Sequence, residues 1–573
     1  MNKPFTCLLT LALLATTVAR AQWTPNAALN TAVRDVAGVQ ELTPRTAPGP
    51  NGGTYVSWFE SAAGTNYVMR LQLLDVDGRP LLGAAGLLVS NQPQATALYR
   101  YDLQSDAAGN ALLAFQDVRS ANGSTQIVIY KISPTGQQLW GANGIQLLDA
   151  TTNSGLSPSI GFTGTGNVVV GWNAGATADA THGTKLVPLV KLSPAGTLLW
   201  TTPVRIQAAS RRFSRPALVP VPGVDDVVVE YVEETGTGLG VSTLYAQRYN
   251  TSGASVWTTP TQVSTKTIPF AFFPELLSDG IGGYFTQVNT GNPANATLND
   301  VYVQRVAADG TLPWGTAGTE VLAGTASLRT SGVLQYVAAR GELWSAVNEL
   351  DGSQGQSGVT MQRLSAATGA VQLGTGGTVV QPISASYYAV QGMRDTGTGL
   401  MVVYSQNNSV LNRTLYATKL TYQAQVATGF TTPIAISSLV SSKLNYSTLP
   451  FSNNHLVTVW QDQRTDDGIY AQTISDTGQL GVVLAARTST AAEALTLSAN
   501  PGPTPTLHLS ATRAQVASLT VRDLTGRLVW QAEVPLTAGL NAVPLAASGL
   551  TAGLYLVEAT VDGAAWRGRW TKP

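Results

Sequence analysis

Asn167-Val168-Val169-Val170-Gly171-Trp172 is a short β-branched run closed by a large aromatic residue, and its pattern returns along the whole chain. Gly53-Thr54-Tyr55-Val56-Ser57-Trp58 and Asn110-Ala111-Leu112-Leu113-Ala114-Phe115 come before it. Val227-Val228-Val229-Glu230-Tyr231, Tyr284-Phe285-Thr286-Gln287-Val288 and Leu343-Trp344-Ser345-Ala346-Val347 come after, followed by Leu400-Met401-Val402-Val403-Tyr404 and Leu456-Val457-Thr458-Val459-Trp460. The closing residues stand at 58, 115, 172, 231, 288, 347, 404 and 460, in steps of 57, 57, 59, 57, 59, 57 and 56. So constant a step over eight units marks a repeat architecture.

Other columns keep the same phase. Gly52, Gly109, Gly166, Gly282 and Gly341 each precede the closing residue by six, where a tight turn needs a residue that tolerates positive φ. Pro44, Pro158 and Pro274 lie fourteen before it, and Asp106, Asp279 and Asp395 nine before it. A second turn carries Gly78, Gly136, Gly196, Gly253, Gly310, Gly369 and Gly478. Trp140, Trp200, Trp257 and Trp314 follow four residues after that turn and read as wedges between repeats. Each unit reads as four short strands with no helical periodicity; in the second they cover about 98–103, 111–116, 126–133 and 137–148.

A single four-stranded sheet cannot bury both faces, so the units must stack. The expected fold is all-β: an eight-bladed β-propeller of about 57-residue repeats over residues 22–487, with an open solenoid as the alternative. A closed ring needs its ends in one blade. Residues 30–35 and 482–486 compete for that outer-strand position.

Composition narrows the function classes. The 573 residues carry 33 basic and 33 acidic side chains, so no net charge points to nucleic acid or an anionic membrane. Met1-Asn2-Lys3, the apolar run from Cys7 to Ala15 and Ala19-Arg20-Ala21 make a signal peptide over residues 1–21, cleaved between Ala21 and Gln22. Cleavage removes Cys7, the one cysteine, so no disulfide or thiolate chemistry is expected. No later run is long enough to span a bilayer, and a monomer is expected.

Beyond the repeats, residues 488–494 read as a linker and 495–573 as a small β-sandwich of alternating strands broken by Gly turns. Asn500-Pro501, Asp523-Leu524-Thr525-Gly526-Arg527 and Gly553-Leu554-Tyr555-Leu556-Val557 occur in the order found in type A C-terminal sorting domains of the type IX secretion system, and the segment resembles that family. Its usual Pro-Asn-Pro is here Ala499-Asn500-Pro501. Within the repeats, Trp460-Gln461-Asp462-Gln463-Arg464, Gly468-Ile469-Tyr470-Ala471-Gln472 and Phe115-Gln116-Asp117-Val118-Arg119 are similar to a repeat of secreted bacterial proteins that carry such domains. The resemblance implies export through the periplasm to the cell surface or beyond. The type IX machinery would be the partner of residues 495–573, which are then removed.

Chemistry is less legible. His182, His455 and His508 are the only histidines and keep no common repeat phase, so no triad, catalytic residue, metal site or cofactor is assigned. Asp75-Val76-Asp77-Gly78 looks like part of a calcium loop but sits in the ordinary Gly turn. Asp117 with Arg119, and Asp462 with Arg464, either bind a ligand or close their own loops. Length varies mostly between the second and third strands, at 173–184, 233–240, 289–298, 349–358 and 406–413. Loops that vary on a constant scaffold suit a binding face. The reading is an exported binding or adhesion module for a glycan or protein, with those pairs as candidate ligand residues. A secreted polysaccharide-acting enzyme and a surface-layer spacer are the alternatives.

Overall fold

The computed structural model describes residues 23–573 except 63–65, 95–99, 120–123, 149–153, 176–184, 209, 236–240, 269–275, 293–294, 325–326, 408–411, 482–494, 512–513, 524–526, 548 and 562–563. The expected signal peptide with Ala21 and Gln22, the ring-closing candidate 482–486, the expected linker 488–494, His182, Gly526 and much of the variable loops therefore fall outside the described residues. The chain divides into two compact units, Met1–Val482 and Val483–Pro573.

In the first unit every described sheet is antiparallel. Six of them have four strands in sequence order, covering 39–90, 102–147, 154–206, 212–262, 276–320 and 328–384. A seventh sheet has seven strands, in the order Thr31–Arg34, Asp467–Ser475, His455–Gln463, Ile434–Thr448, Asn412–Leu420, Leu400–Asn407, Tyr388–Asp395. Its long central strand serves two sets of neighbours. Ile434 to Ser442 pair with Ala417 to Asn412, and Ser442 to Thr448 pair with Gln463 to Thr458. Of the two candidates for the outer strand, residues 31–34 take the place, with Thr31 opposite Ala471 and Arg34 opposite Ile469.

Second strands are buried on both faces, which explains why they read as unbroken apolar runs; in Ala111–Asp117 every residue is buried. Apolar clusters bridge successive sheets, for example Phe59 and Tyr101 between the first two. The series ends with Trp23, Val33, Val459 and Ile469 packed on Val56, Trp58 and Leu74, which joins the last strands to the first sheet. At roughly 1.5–3 kcal/mol for each fully buried large side chain, these clusters dominate stability.

The repeat columns now have physical causes. Six of the first strands bulge, between Leu42 and Arg45, Leu156 and Ser159, Ser214 and Ala217, Ser331 and Val333, Val390 and Gly392, and Leu444 and Ser447. Pro44 and Pro158 sit in these bulges, behind Thr43 and Ser157 at φ 52 and 51. The backbone N–H that a bulge frees meets an amide from the preceding sheet. Arg215 N–H donates to Asn173 Oδ1 at 2.6 Å, Val390 N–H to Asn348 Oδ1 at 2.8 Å and Thr43 N–H to Gln461 Oε1 at 3.1 Å. The last of these stitches the final repeat to the first.

Each tryptophan lies against the Gly turn of the following sheet. A Cβ on Gly196, Gly253, Gly310 or Gly369 would stand 2.9, 3.2, 2.7 and 2.7 Å from Trp140, Trp200, Trp257 and Trp314 respectively. Trp23 fills the same role on Gly78, at 2.7 Å, and its indole N–H donates to Val76 O at 2.9 Å. The basic residues of the third strands strap neighbours together. Lys131 pairs with Asp106 at 2.9 Å and reaches Pro194 O at 2.9 Å, and Arg305 pairs with Asp279 at 3.0 Å and reaches Ala366 O at 3.2 Å. In the second sheet the fourth strand is only Ile145–Leu147, shorter than the expected 137–148, because Gly141 and Gly144 turn the chain at φ 87 and 63.

The second unit has a three-stranded sheet (Thr496–Ser498, Thr506–Ala511, Gly539–Pro544) and a four-stranded sheet ordered Leu528–Leu536, Gln515–Arg522, Gly553–Val561, Ala564–Lys572. Leu507, Leu509, Leu519, Val557 and Trp570 form the core between them.

Candidate ligand site

The Asp-x-Arg pairs close on themselves. Arg119 Nε donates to Asp117 Oδ2 at 2.8 Å and Nη2 to the same oxygen at 2.6 Å, while Nη1 reaches Asn143 O at 2.7 Å. Asp462 is fully buried and accepts from Arg464 Nε at 3.1 Å, Trp460 Nε1 at 3.0 Å and the Ser441 hydroxyl. Lys443, also fully buried, lies 3.4 Å from Asp462 and donates to Leu439 O at 2.7 Å. Burial pulls the Lys443 ammonium down to about 8 despite that carboxylate. Arg464 then donates to Leu29 O at 2.7 Å and Asn30 Oδ1 at 2.9 Å, holding the N-terminal segment, and stands over the Tyr470 ring at 3.6 Å. The structure thus places both pairs inside loop and sheet junctions, and nothing in the sequence spacing had flagged Lys443 as the third member.

Other candidates are similarly engaged. Asp75 Oδ1 accepts the N–H groups of Asp77 and Arg79 at 2.9 and 2.8 Å, and Arg79 pairs with Asp77 at 3.1 Å, so this turn is filled by a guanidinium. His455 Nδ1 lies 2.8 Å from Asn453 O and His508 Nε2 lies 2.9 Å from Ser498 Oγ. No group of three or more His, Cys, Asp or Glu side chains suited to a metal occurs among the described residues. In the second unit, Asn500 donates to Arg569 O at 2.6 Å and accepts from Thr571 N–H at 2.9 Å, tying its segment to the last strand, where Pro501 follows. Tyr555 O–H donates to Thr551 O at 2.8 Å near the start of the strand that Gly553 opens, and Arg527 Nε pairs with Asp523 at 3.1 Å on the surface.

Two buried carboxyls stand out. Glu230 accepts from Tyr284 O–H at 2.8 Å and Thr286 O–H at 3.1 Å across a sheet junction, and burial pushes it up to about 8. Glu41, opposite Glu60 in the first sheet, is pushed up to about 8 by burial and then by Glu60, with Arg34 3.6 Å away opposing the shift.

A concavity of about 500 Å³, with room for a small molecule, lies elsewhere. It gathers Gln287, Gln335, Arg394, Asp395 and Phe451, with Leu334 among the apolar lining, from the fifth and sixth four-stranded sheets and the seven-stranded one. Gln335, Arg394 and Asp395 lie toward the C-terminal ends of first strands, and Phe451 just beyond Thr448, where those strands turn into second strands. That is the end carrying the constant Gly turns, opposite to the variable loops. Arg394 is fixed by donating to Met393 O at 2.9 Å and Thr448 O at 2.5 Å. Asp395 Oδ1 accepts from Gly397 N–H at 2.9 Å and Tyr422 O–H at 2.5 Å. Asp395 belonged to a visible column; Arg394 and Phe451 carried no repeat signal.

Neither a protein-family model nor a curated protein matches the chain. Among solved structures, the chain is similar to a polysaccharide lyase of family PL25, an ulvan lyase, at 11% identity and TM-score 0.40, over 81% of this chain and 97% of that one. It is also similar to an α-L-arabinanase of Penicillium chrysogenum at 13% identity and TM-score 0.33, over 58% and 97%. A puromycin hydrolase shows 14% identity and TM-score 0.38, over 86% and 61%.

Proposed function

We propose that residues 22–487 form an eight-bladed β-propeller, exported from the cell, that binds a ligand. Residues 495–573 would be a β-sandwich sorting domain. The pairing of Thr31–Arg34 with Asp467–Ser475 carries the ring reading, since an open solenoid has no reason to return its first strand to its last sheet. Division of the seven-stranded sheet at Ile434–Thr448 supports two blades there and eight in all. Export rests on the pattern of residues 1–21 and on the ordered Asn500-Pro501, Asp523 to Arg527 and Gly553 to Val557 motifs.

Binding is favoured over glycoside cleavage because the described cavity offers one carboxylate, Asp395, where the usual glycosidase chemistry uses two. A glycan array probed with the purified chain tests this reading: retention of a defined glycan class supports it, and release of shortened sugars in the same incubation would instead make the chain an enzyme. Mass spectrometry of protein at the cell surface tests the sorting role, which fails if peptides from 495–573 are recovered intact there.

A further inference from the structure

We infer that the cavity bounded by Gln287, Gln335, Asp395 and Phe451 is the ligand site and that it takes a short, neutral, hydroxyl-rich oligosaccharide. This rests on the binding reading above and gives it a place and a chemistry.

Gln287 uses its amide N–H on Ser345 Oγ at 2.9 Å, and Gln335 uses its own on Tyr336 O at 2.9 Å. Asp395 already accepts two hydrogen bonds on Oδ1. Among the described residues, Oε1 of both glutamines and Oδ2 of Asp395 remain as acceptors, and each glutamine amide keeps its second N–H as a donor. A ligand that answers all of them must both donate and accept, as hydroxyl groups do.

Charge then decides which. An ammonium would suit Asp395 alone, but the guanidinium of Arg394, held in the same cavity by two backbone carbonyls, opposes a cation. A polyanion would be drawn to Arg394 but would set its remaining charges against Asp395 and the two amide oxygens. Neutral hydroxyls satisfy all three acceptors without either conflict. Leu334 and the half-buried Phe451 supply an apolar wall for the C–H face of a sugar ring. A volume of about 500 Å³ lies within the range of small-molecule sites, roughly 300–1,000 Å³.

The test is calorimetric titration of the full chain with maltotriose, cellotriose and xylotriose, with spermidine and a tri-galacturonate as charged probes. At least one neutral trisaccharide should bind, and neither charged probe should bind more tightly. Gln335→Ala and Phe451→Ala should each weaken that binding about tenfold or more, the loss of a hydrogen bond or of a stacking face. Gln335→Ala should keep the parent's melting temperature, Phe451→Ala should lower it by the loss of its packing on the Trp460 core while the chain stays folded at the titration temperature, and Gln354→Ala, in the exposed loop at 349–358, should leave affinity unchanged. Tighter binding of either charged probe overturns the inference, as does neutral binding that survives both cavity variants. If the glycan array is positive while no neutral trisaccharide binds, the cavity assignment fails and the binding function stands; if both are negative, both fail.

Discussion

Single residues in this chain are constrained by what the next sheet places against them. Gly310 combines φ 86 with the Trp257 ring 2.7 Å from where a Cβ would stand, whereas Gly315, at φ 80, has open space around it. Gly315→Ala should cost about 1 kcal/mol, the backbone penalty alone, and Gly310→Ala a further ~1–3 kcal/mol for displacing the indole, measured by denaturant unfolding. Glu230 offers a pH test. Its folded value of about 8 lies above the ordinary 4.5, so the folded state holds a proton that the unfolded state has released. That contribution is complete below about pH 4.5, declines as pH rises, and is gone above about 8. Glu230→Gln should therefore flatten the fall in unfolding free energy between pH 5 and 8, by at most ~1.4 kcal/mol per pH unit, as read by denaturant unfolding; an unchanged slope would return the carboxyl to the ionised form.

At the scale of elements, the Asp-x-Arg junction in the last sheet is where sequence and structure diverge most. Asp462→Ala leaves the Lys443 ammonium buried without its carboxylate, and a loss of about 3–5 kcal/mol is expected. Arg119→Ala leaves the buried Asp117 carboxylate without its guanidinium, and a comparable loss of about 3–5 kcal/mol is expected. Small shifts in thermal unfolding for the two variants would return Asp462 to the set of available ligand residues. The strands, turns and Gly columns were legible in the sequence because each repeats under one local rule, positive φ at a turn or an apolar run buried on two faces. The third member of the Asp462 cluster was not, because Lys443 sits on the one strand shared by two sets of neighbours and has no counterpart in other repeats. The cavity stayed hidden for a related reason: it draws single residues from separated strands, and only their assembly in space brings Gln287 near Phe451.

For the molecule as a whole, the N-terminal segment supplies what the last repeat lacks. Trp23 takes the tryptophan position, Thr31–Arg34 the outer strand, and Asn30 donates to Ile436 O at 2.8 Å. Deleting residues 23–35 should lower thermal stability far more than trimming an ordinary terminus, and hydrogen exchange should show Asp467–Ser475 losing protection first. Protection unchanged in that strand would mean the segment is an ornament on an already complete fold. Sequence reading reached this question with two competing ends; strand pairing resolves it because residues 31–34 carry the alternation that the edge of Asp467–Ser475 needs.

That arrangement also sets a clock. Asn30 finds its partner Ile436 only after 406 further residues have been made. Bringing such distant segments together costs about 5 kcal/mol of chain entropy, so the union comes late, after the intervening sheets have shortened the path. A chain cut off before residue 467 keeps Trp23 seated on the first sheet but leaves Thr31–Arg34 without the edge it pairs with, and Val33 without Ile469 to cover it.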